Sequence, residues 1–207
     1  MASPRGQKRR AEIIEAALHI FAEKGYHAAG IADIAGHLGI GHGTVYLYFK
    51  NKEDILDTAV RRVIRDMTSI VLLERPDQAR SLKEFEGQIM RIGSAFFELF
   101  RKDLRGARII LEEAPAVADR IRRRLARASD NTAYLAERFL IHGKKQGYLA
   151  PELDTAIAAR AVNAMMYEAI RQGIRTAPEE LEALFLRWNR TVCDIMLSGM
   201  RTEDRQD

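Results

Sequence analysis

The sequence predicts an all-α fold, in which a three-helix N-terminal helix-turn-helix domain continues into a larger helical domain. Three observations carry this. Alanine occurs 29 times and arginine 25, against 7 valines and 8 threonines; the first pair loses little rotamer freedom in a helix and the second loses more. Apolar residues recur at three- and four-residue spacing, and no segment sustains the period-two alternation of a strand. Pro76, Pro115, Pro151 and Pro178 fall at or between the ends of these stretches, where proline is tolerated.

The elements follow in order. A first helix spans about 8–24, with Ile14, Ala17, Leu18 and Phe21 on one face. Gly25 supplies a left-handed stop, and Tyr26 folds back onto Phe21. A short second helix, 31–38, carries Ile31, Ile34, Ala35 and Leu38 inward. Gly39-Ile40-Gly41 breaks it, and a third helix runs from His42 to about Phe49. Asn51 is placed as the N-cap of a long fourth helix, with Asp54 as the acidic partner of the cap. That helix turns Ile55, Leu56, Val60, Val63, Ile64, Met67 and Val71 inward and stops before Pro76. Further helices are expected at 81–102, 104–114, 116–146, 154–175 with Asp154 as N-cap, and 178–200. Both polar ends are expected to fray.

Composition narrows the function classes. A single cysteine, Cys193, excludes an intramolecular disulfide and a cysteine-rich zinc site, and points to a reducing compartment. No run of about 18 apolar residues predicts a membrane span. Glu12 and Glu15 fall where the apolar core of a signal peptide would follow Arg5, Lys8, Arg9 and Arg10. The net charge of +4 is unevenly placed. Residues 1–52 hold 7 basic and 4 acidic side chains, while residues 53–207 hold 26 and 25. Four of the five histidines also lie in that first segment. The expected division therefore falls at 52, with something polyanionic docking on residues 1–52 and a near-neutral body at 53–207.

Six of the 14 glycines lie between Gly25 and Gly43. Helices only two turns long bury too little surface alone, and make sense as a helix-turn-helix packed on the first helix. In that motif the second helix enters the major groove of double-stranded DNA by its N-terminal residues. Here these are His42, Gly43, Thr44 and Val45, followed by Tyr46, Leu47 and Tyr48. His42 and Thr44 suit base edges or phosphates, Tyr46 and Tyr48 offer hydroxyls to phosphates, and Leu47 suits a thymine methyl. Lys52 is expected at a phosphate, where its loss would lower the salt slope of binding by about 1. Packing of the tyrosines into a plain three-helix core is the competing reading, with Tyr46 and Phe49 sharing an inward face.

Gly25-Tyr26, Ile31-Ala32-Asp33-Ile34-Ala35, Leu38-Gly39-Ile40 and the run from Gly43 to Glu53 together resemble the DNA-binding signature of the tetracycline-repressor (TetR) family of regulators. The resemblance covers roughly residues 10–56. It implies a homodimeric all-α repressor whose second domain binds an inducing small molecule. It also implies DNA contacts at His42, Gly43, Thr44, Tyr46, Leu47, Tyr48 and Lys52. Two departures stand out. Ala29-Gly30 replaces the usual Thr or Ser cap of the second helix, and Gly41 replaces the usual Ser before the recognition helix. Both remove a phosphate donor, which shifts weight onto Arg9 and Arg10, with Arg5 and Lys8 beside them.

The string from Gly147 to Asp154 resembles the family's approach to its penultimate helix, so the last two helices would pair with a second copy. Ala161 and its small neighbours permit close approach. Leu181, Leu184, Phe185, Trp188, Val192 and Ile195 form an apolar stripe assigned to that interface; a monomer core is the alternative. A ligand pocket is sought among Met67, Phe96, Phe97, Phe100, Ile110, Phe139, Met165 and Met166, with Asn163, Tyr134 and Tyr167 to orient a hydrophobic or amphipathic ligand. Arg120, Arg122, Arg123, Arg124 and Arg127 read as a solvated helix face.

Other classes fit less well. The chain lacks G-x-S-x-G, H-E-x-x-H, a P-loop and Glu-x-x-His pairs, so neither an enzyme nor a metal or cofactor is expected. Asn189-Arg190-Thr191 matches a glycosylation sequon but sits in a helix. The expectation is a bacterial cytoplasmic regulator acting at the nucleoid, a repressor bound to a palindromic operator. Helix-turn-helix binding without small-molecule control, or activation, stays open as the alternative.

Overall fold

The structure, a computed structural model, describes residues 3–200, with side chains as far as Leu197; the ends expected to fray, 1–2 and 201–207, lie outside it. Among the described residues there are ten α-helices and no strand: α1 Pro4–Lys24, α2 Ile31–His37, α3 His42–Tyr46, α4 Lys52–Leu73, α5 Leu82–Arg101, α6 Leu104–Arg108, α7 Ala114–Val117, α8 Asp119–Lys145, α9 Thr155–Ile174 and α10 Leu181–Met200. They form two compact units, Met1–Arg65 with Asp103–Leu125, and Asp66–Lys102 with Ala126–Asp207. The compact units therefore do not divide at residue 52.

The first unit is built on α1. Pro4 occupies its first turn, where a missing N–H is no loss, and Ser3 Oγ accepts the Gly6 N–H at 3.2 Å. The helix thus begins four residues earlier than its apolar periodicity. At its other end Gly25 takes φ 80°, and the Phe21 and Tyr26 rings meet edge-on at 5.1 Å. The turn between α2 and α3 passes through Gly39 at φ 63°, a conformation that side chains rarely adopt. Ile13, Phe21, Ile34, Val45, Phe49, Ile55 and Leu56 close the core with Ile109, Ile110 and Ile121 from the second stretch of the unit.

That second stretch packs where sequence periodicity gave no pointer. Gly106 brings α6 against Leu18 of α1, and Arg108 donates to the Ala22 carbonyl at 3.1 Å. The single helix expected at 104–114 is instead α6, a π-helical turn at Ile109–Glu113, and α7. Pro115, having no N–H, cannot donate to the Leu111 carbonyl. The Ala114 N–H reaches back five residues to Ile109, and the wider turn buries both Ile109 and Ile110.

Asp57, on the first half of α4, is fully buried. Its Oδ1 accepts from Arg124 Nε at 3.0 Å, while Oδ2 has no hydrogen bond and faces Arg61 at 3.5 Å and Arg120 at 3.7 Å. The sequence pattern places Arg120 and Arg124 on a solvated face. Their stems do reach solvent, but both head groups converge on this carboxylate.

In the second unit α10 packs on α5 and α9, beside the later parts of α4 and α8. Asp154 caps α9 as expected, its Oδ1 accepting from Ala156 and Ile157 at 3.1 and 3.0 Å. Leu181 and Phe185 are buried against Gly173, where an added Cβ would lie 2.7 Å from the Phe185 ring.

Candidate DNA-binding face and ligand cavity

The short α3 separates its residues cleanly. Val45 and Phe49 are buried, whereas Tyr46 is 57% and Leu47 82% exposed. Tyr46 and Phe49 therefore do not share an inward face. His42 and Gly43 are also exposed, and a Cβ at Gly43 would meet nothing within 4 Å. Thr44 is half-buried, its N–H donating to the Gly41 carbonyl at 2.9 Å. Tyr46 and Leu47 thus present an adjoining aromatic and aliphatic side chain to solvent.

The flanking cations divide into two groups. Arg5, Lys8 and Lys50 are exposed. Arg9 pairs with Glu12 at 2.8 Å on the same helix. Arg10, expected at a phosphate, is turned inward. Its guanidinium lies 4.3 Å over the Phe49 ring and donates to the Tyr48 carbonyl at 2.9 Å. It caps the chain where α3 ends, three residues before the expected Phe49. Tyr48 is correspondingly half-buried.

Lys52 is engaged within the unit. Its ammonium donates to the carbonyls of Tyr26, His27 and Ala29 at 2.8, 3.0 and 2.9 Å, and stands 4.7 Å above the Tyr26 ring. An ammonium has three donors, and here each has an acceptor. Lys52 thus ties the start of α4 to the loop after α1. Asn51 caps α4 as expected, its Oδ1 accepting from Asp54 at 2.8 Å; Asp54 accepts the Lys50 N–H.

The missing cap of α2 is replaced from within. Asp33 accepts the Gly30 N–H at 2.8 Å and pairs with Lys24 at 2.6 Å. The hydrogen bond from Lys24, then that from Gly30, hold its carboxyl below the usual carboxylate range. Gly41 makes no side-chain cap.

The second unit encloses an apolar cavity of about 70 Å³, room for roughly five water-sized probes. Met67 and Val71 of α4, Phe96 of α5, Phe139 and Leu140 of α8, and Asn163, Met166 and Tyr167 of α9 line it. The sequence missed Ile89, Gly93, Ala136, Asn189 and Met196, which also line it. Asn189, read as an idle sequon, lies across Gly93 and donates to the Met90 carbonyl at 3.1 Å. A Cβ at Gly93 would sit 2.1 Å from its Oδ1. Only a glycine admits that approach, so Gly93 with Asn189 was the available signal.

Several expectations change. Tyr134 is 62% exposed, and Phe97 stacks on Phe185 at 4.3 Å; neither lines the cavity, nor do Phe100 and Met165, and Ile110 belongs to the core of the first unit. Val192, assigned to the interface, lines the cavity instead. Leu181 and Phe185 belong to the unit's own core. Part of the expected set does face outward, with Ile157 added. Ala161 and Ala164 are exposed on α9 with Ile157 at 67%, and Ile195 on α10 at 52%. Leu184 and Trp188 are half-buried.

Cys193 is buried, and burial, with Glu86 and Asp194 adding, pushes its thiol up to about 11. At pH 8 about one molecule in a thousand then carries a thiolate. Maleimide should leave the native protein unlabelled over an hour and label it fully in urea. Rapid native labelling would contradict the buried placement.

Residues 13–59 match the family described as bacterial regulatory proteins, tetR family. The chain is 24% identical over 193 residues to the fatty acid metabolism regulator protein of Bacillus subtilis, covering 93% of this chain and 95% of that one. In fold it is similar to the fatty acid degradation regulator FadR from Bacillus halodurans, with a TM-score of 0.77, 24% identity, and 96% and 97% of the two chains covered. The Bacillus subtilis FadR structure in complex with stearoyl-CoA aligns with a TM-score of 0.64 at 23% identity, over 91% of this chain and 98% of that one.

Proposed function

Because this chain is a DNA-binding transcriptional regulator of the tetR family, we propose that it is a cytoplasmic homodimeric repressor, released from a palindromic operator by an apolar or amphipathic ligand. In this reading residues 1–52 meet the operator, and residues 53–207 meet the ligand and the second copy. The exposed Tyr46-Leu47 face of α3 is the observation that carries it. His42, Gly43 and Thr44 lead that face into the groove, with Arg5, Lys8, Lys50 and Arg9 positioned for phosphates.

Pairing is supported by the outward apolar residues Ile157, Ala161 and Ala164 on α9 and Ile195 on α10, with Leu184 and Trp188 half-buried on that helix. Two-fold symmetry matches a palindrome whose half-sites lie about 34–36 Å apart, one helical turn. The cavity supports control by a ligand. Met67 and Val71 line it from α4, whose first turn carries Lys52 and its three carbonyls. A ligand that displaces Met67 or Val71 acts on the same continuous helix. Preference for a dimer of the wrong half-site spacing then withdraws population from DNA.

The test is selection of bound DNA from a random pool, followed by a screen of apolar ligands on the selected site. A palindromic consensus relieved by one ligand class is expected. Sequence-independent binding, or a palindrome no apolar ligand relieves, would contradict the respective half of the proposal.

A further inference from the structure

A cleft of about 440 Å³ opens between the end of α4 and the last turns of α8. Leu72 of α4 and Ile141 of α8 line it, 56% and 38% exposed, and Leu73, next along the chain, is 82% exposed. The cleft is preformed. His142 Nε2 and Tyr148 Oη both donate to the Ala79 carbonyl, at 2.9 and 2.8 Å. The buried Gln88 donates to the Arg75 carbonyl at 2.7 Å. These bonds hold the turn Pro76–Gln78 against α5 and the end of α8, so an occupant has little ordering to do.

The charges of the lining do not balance. Its two carboxylates are already engaged within the fold, Glu74 accepting from Arg91 at 2.9 Å and Asp77 from Arg75 at 2.8 Å. Its two remaining cations are not. Among the described residues Arg138 and Lys145 of α8 form no ion pair, and both are exposed. Seven residues separate them, two helical turns or about 10 Å, and Ile141 stands on the same face between them. Two free cations about an apolar contact are complementary to two carboxylates about an apolar group.

We propose that this cleft docks an acidic amphipathic helix of a partner protein. Two carboxylates two turns apart meet Arg138 and Lys145, and a large apolar side chain between them enters beside Leu72 and Ile141. A helix presents that spacing from a single face. A bilayer surface is flat and has nothing to insert into a cleft, and DNA would bring phosphates against Glu74 and Asp77 as well as the cations. No lining residue comes from α9 or α10, the helices assigned to pairing. The regulator thus gains a protein partner besides DNA, a ligand and its own second copy.

The probe is a fluorescein-labelled peptide of about 18 residues on an Ala/Gln background, held helical by a covalent staple on its far face. It carries Glu-Ala-Gln-Leu-Leu-Ala-Gln-Glu at its centre and is titrated with the full chain by anisotropy. Saturable binding is expected. Replacing both glutamates by glutamine should weaken it about tenfold or more, as should Arg138→Ala/Lys145→Ala, and the two losses should not add. Arg138→Glu/Lys145→Glu should reject the acidic peptide and bind its lysine counterpart. Thermal unfolding should be unchanged in these variants, because the altered side chains are exposed. Absence of binding, or binding insensitive to Arg138 and Lys145, would overturn the proposal. Recruitment of the protein to phosphatidylglycerol vesicles through these two residues, or sedimentation showing that they join further copies of this chain, would overturn it too, giving the surface to a bilayer or to self-association.

Discussion

Arg124→Met is expected to lower the free energy of unfolding by about 3 kcal/mol, toward the low end for breaking a buried ion pair. Asp57 is fully buried and receives one good hydrogen bond, from Arg124 at 3.0 Å. Arg61 and Arg120 approach only to 3.5 and 3.7 Å, and both are about half exposed. Without Arg124 the carboxylate keeps its desolvation penalty and loses its one direct donor. The reverse change is milder. Asp57→Asn leaves arginines that turn to water, and should cost about 1 kcal/mol. Urea unfolding of both variants measures the asymmetry. Equal losses would mean that the cluster acts as ordinary surface pairs.

Lys52→Met is expected to destabilise by about 2 kcal/mol, since methionine keeps the apolar stem but loses three charge-assisted donations. Its effect on the salt dependence of operator binding should be nil, because the ammonium already has three acceptors at 2.8–3.0 Å. Arg5→Ala and Lys8→Ala should each lower the slope of log affinity against log salt by about 0.9. A slope that falls by that amount in Lys52→Met would return Lys52 to the phosphates.

The contrast shows what a pattern of residues conveys. Helix existence and the caps Asn51 and Asp154 were legible, because local spacing and side-chain chemistry decide them. The face of α3 was legible too, since Val45 and Phe49 are four apart and leave Tyr46 and Leu47 outward. Periodicity marks which residues are apolar on one face, but does not name what covers them. Leu181, Phe185 and Val192 satisfy an interface and a core equally well in sequence; the close approach at Gly173 takes Leu181 and Phe185 into the core, and the cavity takes Val192. Lys52 is seven residues from the expected groove-reading Val45, yet its acceptors lie 23–26 residues back, beyond any local rule. The Asp57 cluster joins residues 67 apart. The loss of a Ser or Thr at the α2 cap was legible, and so was its replacement, since Asp33 stands three residues after Gly30 at the acidic position of a capping box.

The claim on which the rest depends is that the exposed side of α3 reads the operator. It is tested most directly by fluorescence anisotropy of the selected palindrome and a scrambled duplex at one fixed salt concentration. Wild type is compared with the Thr44→Ala/Tyr46→Ala/Leu47→Ala variant. The expected wild-type preference is about a thousandfold or more. In the variant it should fall to near unity while thermal stability holds, because Tyr46 and Leu47 are largely exposed. A variant that keeps the wild-type preference would place sequence recognition elsewhere on the chain and contradict the assignment.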